Sequence, residues 1–231
     1  MQPELRTTAG APIGTQAGTA SNRVLRNTYL LLALTMVPTV LGALIGMRTA
    51  SLVMGAPGVV SIVVFAAVIG LQFAIAANRN SFKGVALLLL MTGVLGWFLG
   101  PILNFALSLS NGMQLVAYAA VGTGVIFFAM GAIAATSRRD FGFMGKFLVI
   151  GMIALLIGVV ANYFLQIPAL ALTLSTLIIV LFSLFLVYDL QRIMRGGETN
   201  YIMATTGVYM SLFNIFANLL HLLLALAGNR E

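Results

Sequence analysis

The chain has 231 residues, 61% of them hydrophobic and only 7% charged, a balance that no water-soluble domain can hide inside one core. Its formal charge of +7 does not indicate nucleic acid as a partner, because the basic residues are scattered over short loops and not gathered on one face. The absence of cysteine excludes disulfides, thiolate metal sites and cysteine nucleophiles.

In chain order, residues 1–22 are polar, rich in Thr, Ala and Gly, interrupted by Pro3 and Pro12, and lack the short apolar region of a cleavable signal peptide. They predict a flexible cytoplasmic tail. Residues 23–231 then read as a single membrane domain. Backbone groups in hydrocarbon must be hydrogen-bonded within the segment, and a core of roughly 30 Å takes about 20 apolar residues of helix. Apolar runs of that kind predict helices near Thr28 to Met47, Gly58 to Ala77, Gly84 to Leu103, Leu115 to Thr136, Phe147 to Leu165, Ala169 to Tyr188 and Tyr201 to Leu226. Only Gln166, Ile167 and Pro168 divide the fifth from the sixth, so a re-entrant pair at that point stays open. Pro38 lies in the middle of the first segment and predicts a kink. Gly42 and Gly46 in the first segment and Gly96 and Gly100 in the third have the spacing that lets helices approach closely. Intramolecular packing is the preferred reading of both pairs, over dimerisation.

Charge provides a test independent of hydropathy, since Lys and Arg accumulate in short cytoplasmic loops. With seven spans, one side holds Arg6, Arg23, Arg26, Arg79, Lys83, Arg138, Arg139, Lys146, Arg192 and Arg195, and the other holds only Arg48 and Arg230. The fold class expected is therefore an all-α membrane protein, a seven-transmembrane-helix bundle with a cytoplasmic N-terminus and the C-terminus on the opposite side.

Few residues offer chemistry. Glu4, Asp140, Glu198 and Glu231 fall in tails or loops, whereas Asp189 follows a long apolar run at the cytoplasmic end of segment six. It reads either as a helix-end residue paired with Arg192 one turn away or as a functional carboxylate. In segment seven, Ser211, Asn214, Asn218 and His221 are spaced 3, 4, 3 and share one helical face, which Gly207 extends toward the cytoplasm. That face reads either as the lining of a cavity or ion path or as interhelical hydrogen bonding that fixes packing, with His221 placed near the outer interface. No enzyme motif is present: a lone histidine excludes the paired-histidine zinc pattern, and there is neither a nucleophile elbow nor a phosphate loop. A retinal protein would need a lysine inside the bundle, while Lys83 and Lys146 border loops. No cofactor is expected, and no metal site is firmly assigned.

At Val187-Tyr188-Asp189-Leu190-Gln191-Arg192-Ile193, Arg195-Gly196-Gly197, Tyr201, and Tyr209 to Phe216 with Leu219 and Leu220, the sequence resembles the Bax-inhibitor-like transmembrane family. Ser137-Arg138-Arg139-Asp140 and Phe141 to Met144 resemble that family's basic-aspartate loop, and the likeness covers all seven segments. The resemblance implies six helices around a central one and, in several members, a pH-sensitive calcium leak controlled by two aspartates. It carries the first aspartate onto Asp189, as a proton-sensitive gate. The second position is occupied here by Ser211, with Asn214 as a neighbour, so the coupled titration of two close carboxylates is lost. Arg79 matches the implied latch arginine approximately. One aspartate among Ser, Asn and carbonyl groups makes a poor calcium site, since calcium prefers six to eight oxygens.

Two functions follow as expectations. The first is a pH-influenced cation or calcium leak in ion homeostasis. The alternative is a modulator of membrane-protein quality control or stress response, a branch to which the serine at 211 is similar, docking on a membrane protease through the tail and the Gly-rich faces. The resemblance implies a multi-pass protein of a bacterial inner membrane, with the lipid bilayer, calcium ions or a membrane protease as partners.

Overall fold

The computed structural model describes residues 13–138 and 141–228, and among these it contains helices and no strand. α1 spans Ile13–Arg48, α2 Ala50–Gly55, α3 Pro57–Ala77, α4 Phe82–Ser108, α5 Gly112–Thr136, α6 Met144–Leu165, α7 Pro168–Met194 and α8 Tyr201–Gly228. All but the short α2 are long and apolar enough to cross a membrane. Each of the seven segments expected from hydropathy lies inside one long helix. The chain is an all-α integral membrane protein, and its outer surface is what that solvent requires: Phe73, Phe128 and Phe164 are 74%, 75% and 76% exposed, which is tolerable only where lipid covers them.

α1 begins within the segment expected to be a tail. Residues from Ile13 onward are helical, and the Ser21 hydroxyl donates to the carbonyls of Ile193 and Met194 on α7, 2.8 Å to each. Residues 1–12 of the expected tail lie outside the described residues, as do Arg139, Asp140 and the terminal 229–231.

The fifth and sixth segments are separate helices. Gln166 takes a left-handed conformation, φ 54°, and its N–H closes α6 on the Asn162 carbonyl at 2.8 Å. The Asn162 side-chain carbonyl then accepts the Ile167 N–H at 3.2 Å, and Pro168 opens α7 at a position where a missing N–H costs nothing. At 1.5 Å per residue, the 22 residues of α6 and 27 of α7 extend about 33 and 40 Å, each enough for a full crossing of roughly 30 Å.

The closest packing in the bundle is between α1 and α4. A Cβ added at Gly42 would collide with the Gly93 carbonyl oxygen, one at Gly46 with the Trp97 carbonyl, one at Gly96 with the Thr39 carbonyl and one at Gly100 with the Gly46 backbone. The two glycine pairs singled out in the sequence therefore face each other within one chain. Pro38 sits inside this contact, close to Gly93, and a second proline, Pro101, lies within α4 beside Gly100. Next to the seam the Trp97 indole donates to Thr49 Oγ1 at 2.8 Å.

α8 runs through the bundle and touches every other long helix except α6. Val208, Ile215 and Leu220 of α8 are fully buried, together with Leu88 and Met91 of α4 and Leu186 and Leu190 of α7. The ring of six helices implied by the resemblance is thus loose at α6, whose backbone packs on α7 and which reaches α3 through Tyr163, against Gly58. The small faces of α6 let α7 side chains lie close, with Gly158 against Leu174 and Gly151 against Leu181.

The four described segments at the Arg-rich end are tied to one another. Ser21 bonds to the end of α7; Arg195 donates to the carbonyls of Ser137 and Arg138 at 3.2 Å; the Asn200 amide donates to the Arg79 carbonyl at 2.8 Å and to Asn80 Oδ1 at 2.9 Å. Helix connectivity and these bonds place Arg23, Arg26, Arg79, Lys83, Arg138, Lys146, Arg192 and Arg195 at one end, with Arg48 at the other.

Gly46→Leu should lower the unfolding free energy in detergent by about 3 kcal/mol or more, because the added side chain meets backbone that cannot repack. Gly70→Ala, where a Cβ meets nothing within 4 Å, should be neutral or stabilising by up to ~1 kcal/mol. Trp97 fluorescence against temperature reports both; equal melting of the two variants would contradict the packing described.

Candidate functional site

α7 and α8 are antiparallel neighbours, and their polar residues fall in one register. Asp189 of α7 lies opposite Gly207 of α8, where a Cβ would sit 2.7 Å from the Asp189 Oδ2. Ser175, 14 residues earlier on α7, has its hydroxyl 3.0 Å from His221 Nδ1, 14 residues later on α8. The face carrying Gly207, Ser211, Asn214, Asn218 and His221 therefore forms a polar seam with an α7 partner at each end. Fourteen helical residues span about 21 Å, most of a hydrocarbon core.

At the Asp189 end, Gly207 leaves the room that the half-buried carboxylate occupies. Among the described residues no hydrogen bond or ion pair engages that carboxylate. The partner expected for it, Arg192, is instead 3.2 Å from Glu198 and also donates to the Gly197 carbonyl at 3.3 Å. The reason is local. Arg192 is in the last turn of α7, and the turn through Gly196 (φ 75°) brings Glu198 back beside it, whereas Asp189 faces α8. Arg79, the expected latch, is exposed in the connection between α3 and α4. It joins the site through its backbone carbonyl, which Asn200 binds, and its guanidinium makes no ion pair among the described residues.

Ser211 is buried, one turn beyond Gly207. Asn214 and Asn218 donate their side-chain amides to the carbonyls of Met210 and Asn214 on their own helix, at 2.8 and 2.9 Å. Both of these amide bonds lie within α8 and do not bridge to another helix. Instead Asn214, Asn218 and His221 line a cavity of about 540 Å³ toward the end opposite the arginines, which also receives Ser61 of α3, Asn162 of α6 and Ser175 of α7. His221 is exposed, in keeping with an imidazole near an interface. Asp189 and Ser211 do not line this cavity. Among the described residues no group of three or more His, Asp or Glu could hold a metal ion.

Three residues of the site escaped the sequence reading. Tyr209, 2% exposed, has its hydroxyl 2.8 Å from Thr39 Oγ1 of α1 and 3.4 Å from the Thr92 carbonyl of α4. Thr39 Oγ1 is also within 2.7 Å of the Thr35 carbonyl, so the Tyr209 and Thr39 hydroxyls and the two carbonyls form one hydrogen-bonded cluster joining α8 to α1 and α4. This anchor fixes α8 beside its polar seam. A tyrosine deep within an apolar helix, away from the interfacial belts where that residue concentrates, was the available signal. Gln191 is buried and accepts the Phe141 N–H at 2.8 Å, holding the connection between α5 and α6 against α7. Ser175 carries no periodic signal of its own.

A family model described as "Inhibitor of apoptosis-promoting Bax1" matches residues 21–229. A protein of Escherichia coli K12 named "Modulator of FtsH protease YccA" is 41% identical over 204 residues, which is 88% of this chain and 90% of that protein. A protein of Escherichia coli O6:H1 named "Inner membrane protein YccA" shows the same identity and coverage. An uncharacterised membrane protein of Vibrio cholerae is 36% identical over 204 residues, 88% of this chain and 89% of its own length.

Proposed function

The chain belongs to the Bax inhibitor-like family of integral membrane proteins, and from that membership we propose that it modulates a membrane-bound protease of the FtsH type in a bacterial inner membrane. The observation that carries this reading is the similarity, over nearly the whole length of both chains, to a protein named as a modulator of that protease. A binding role asks for no conduction path and no catalytic residue. It agrees with a seam in which Asp189 faces Gly207, and Ser211, one turn on, supplies no second carboxylate. Docking through the Gly-rich faces of α1 and α4 is not available, because those faces are consumed by contact with each other. The interacting surface is instead the arginine-rich end, cross-tied into one platform, together with the polar residues 1–12 that precede α1 in the sequence.

That end faces the cytoplasm in this proposal, as the concentration of Lys and Arg in short loops requires. Single cysteines are informative in a chain that has none. A cysteine at exposed Asn80 should react with an impermeant thiol reagent only after the cytoplasmic face is opened, and one at exposed Ser110 from the outer face of intact spheroplasts. The reverse pattern would invert the topology.

Raised levels of the chain should lengthen the half-life of a membrane substrate of the protease at least about two-fold, and the chain should co-purify with the protease from detergent extracts. Removal of residues 1–12 should weaken that association while leaving the bundle folded. An unchanged half-life together with no co-purification overturns the proposal.

A second reading, a pH-influenced cation leak, is favoured by one observation: among the described residues the Asp189 carboxylate has no ion pair, and it stands at one end of a seam whose Asn214, Asn218 and His221 reach a cavity at the other. Proteoliposomes loaded with a calcium indicator test it from mildly acidic to mildly basic pH. Leak predicts that Asp189→Asn alters the flux and that Ser211→Asp, by restoring two carboxylates that titrate as a pair, makes it more dependent on pH. Flux no greater than in empty liposomes at every pH removes the reading.

A further inference from the structure

α1 and α5 do not pack against each other. Among the described residues the ring contact between them is the edge-to-face pair of Tyr29 and Phe127, whose centroids are 6.0 Å apart. Between them lies a groove of about 700 Å³, floored by Leu32 and Leu212 and walled by Tyr29, Met36, Phe128 and Gly131. The space exists because small residues, Ala33 of α1 and Gly131, Ala132 and Ala135 of α5, stand where larger ones would close it. A slot this apolar holds a hydrocarbon chain and offers nothing to a polar ligand.

The charged end of the groove says which chain. Arg26, Tyr29, Ala33 and Met36 are spaced 3, 4, 3 and share one face of α1, so the exposed Arg26 stands on the same stripe as the groove, one turn beyond its first residue. Arg138 is exposed just past the same end of α5, and Arg195 reaches across to the carbonyls of Ser137 and Arg138. From Arg26 to Met36 the helix rises about 15 Å, half the roughly 30 Å thickness of a hydrocarbon core. A cation at the interface above an apolar slot one leaflet deep matches a single phospholipid with an anionic headgroup.

We propose that the α1–α5 groove binds an anionic phospholipid, with one acyl chain along Tyr29, Ala33 and Met36 and its phosphate on Arg26. The site lies on the opposite side of α8 from the seam cavity and does not depend on the protease reading. Binding there bridges two helices that do not otherwise pack against each other.

The full chain, purified in mild detergent, is mixed with phosphatidylglycerol or with phosphatidylcholine at equal mole fraction, and retained lipid is read by native mass spectrometry. The native chain should retain phosphatidylglycerol over phosphatidylcholine by about five-fold, the discrimination expected of one basic residue near a membrane surface. Arg26→Gln should abolish the preference, Arg26→Lys should keep it, and Arg48→Gln at the far end should leave it unchanged. Ala33→Trp and Ala132→Trp fill the groove from opposite walls at exposed positions, so either one that elutes as the native chain does should lower retention of both lipids. Equal retention of the two lipids by the native chain overturns the proposal, as does full retention in a groove-filled variant. Loss of a co-purifying membrane protein from the groove-filled variants, with lipid retention unchanged, also overturns it and assigns the groove to a partner helix.

Discussion

In hydrocarbon, two helices gain nothing by hiding apolar side chains from a solvent that is itself apolar, so their association depends on how closely their backbones can approach. α1 and α4 solve this with glycine on both sides, Gly42 and Gly46 against Gly93, Gly96 and Gly100. Dispersion forces fall off within a fraction of an ångström of the optimum, and only residues without a Cβ allow carbonyl and backbone atoms to meet across the seam. The position of α8 follows from this contact. Thr39, whose carbonyl touches Gly96, is also hydrogen-bonded through its hydroxyl to the Tyr209 hydroxyl, which donates to the Thr92 carbonyl on α4. The central helix is thereby held against a pair of helices already locked in place, and its polar face is turned toward α7.

That orientation divides the α7–α8 seam into two environments. Around Asp189 there is a carboxylate against a glycine backbone, near the connections through which Arg192, Arg195, Gln191 and Asn200 bind one another's loops. Around His221 there is a largely apolar cavity into which a few amides and hydroxyls project, with the Asn214 and Asn218 amide donors spent on their own helix. The first resembles a structural joint close to a docking platform, and the second a mainly apolar pocket with a polar edge. A modulator that binds through the arginine-rich end uses the joint to keep four connections in one arrangement.

The sequence made the membrane helices legible because hydropathy is a local property: every expected segment lies within a helix, and even the break at Gln166 to Pro168 is written in adjacent residues. The polar face of α8 was legible for the same reason, a spacing of three and four along one element. What it could not show was choice of partner. Asp189 and Glu198 are both near Arg192 in sequence, and only the turn through Gly196 decides for Glu198. Tyr209 and Thr39 are 170 residues apart, and no periodicity links them. The loose packing of α6 was equally hidden, since its composition matches that of helices packed on several sides; α2 was hidden because six residues are too few for a periodic signal. The family resemblance supplied a ring of helices whose packing is loosest at α6.

The turn between α6 and α7 bears on how the protein is made. Gln166 and Ile167 carry no charge, and Asn162 accepts both of their N–H groups, so the turn presents no charge to resist passage through the bilayer. The two helices already fit side by side through Gly151 and Gly158. Their orientation is decided entirely by the basic residues at their far ends, Lys146 on one and Arg192 and Arg195 on the other. The pair is therefore suited to enter the membrane together as a closed helical hairpin, handed over by the insertion machinery as one unit and docked chiefly through α7, with Tyr163 of α6 reaching Gly58 of α3.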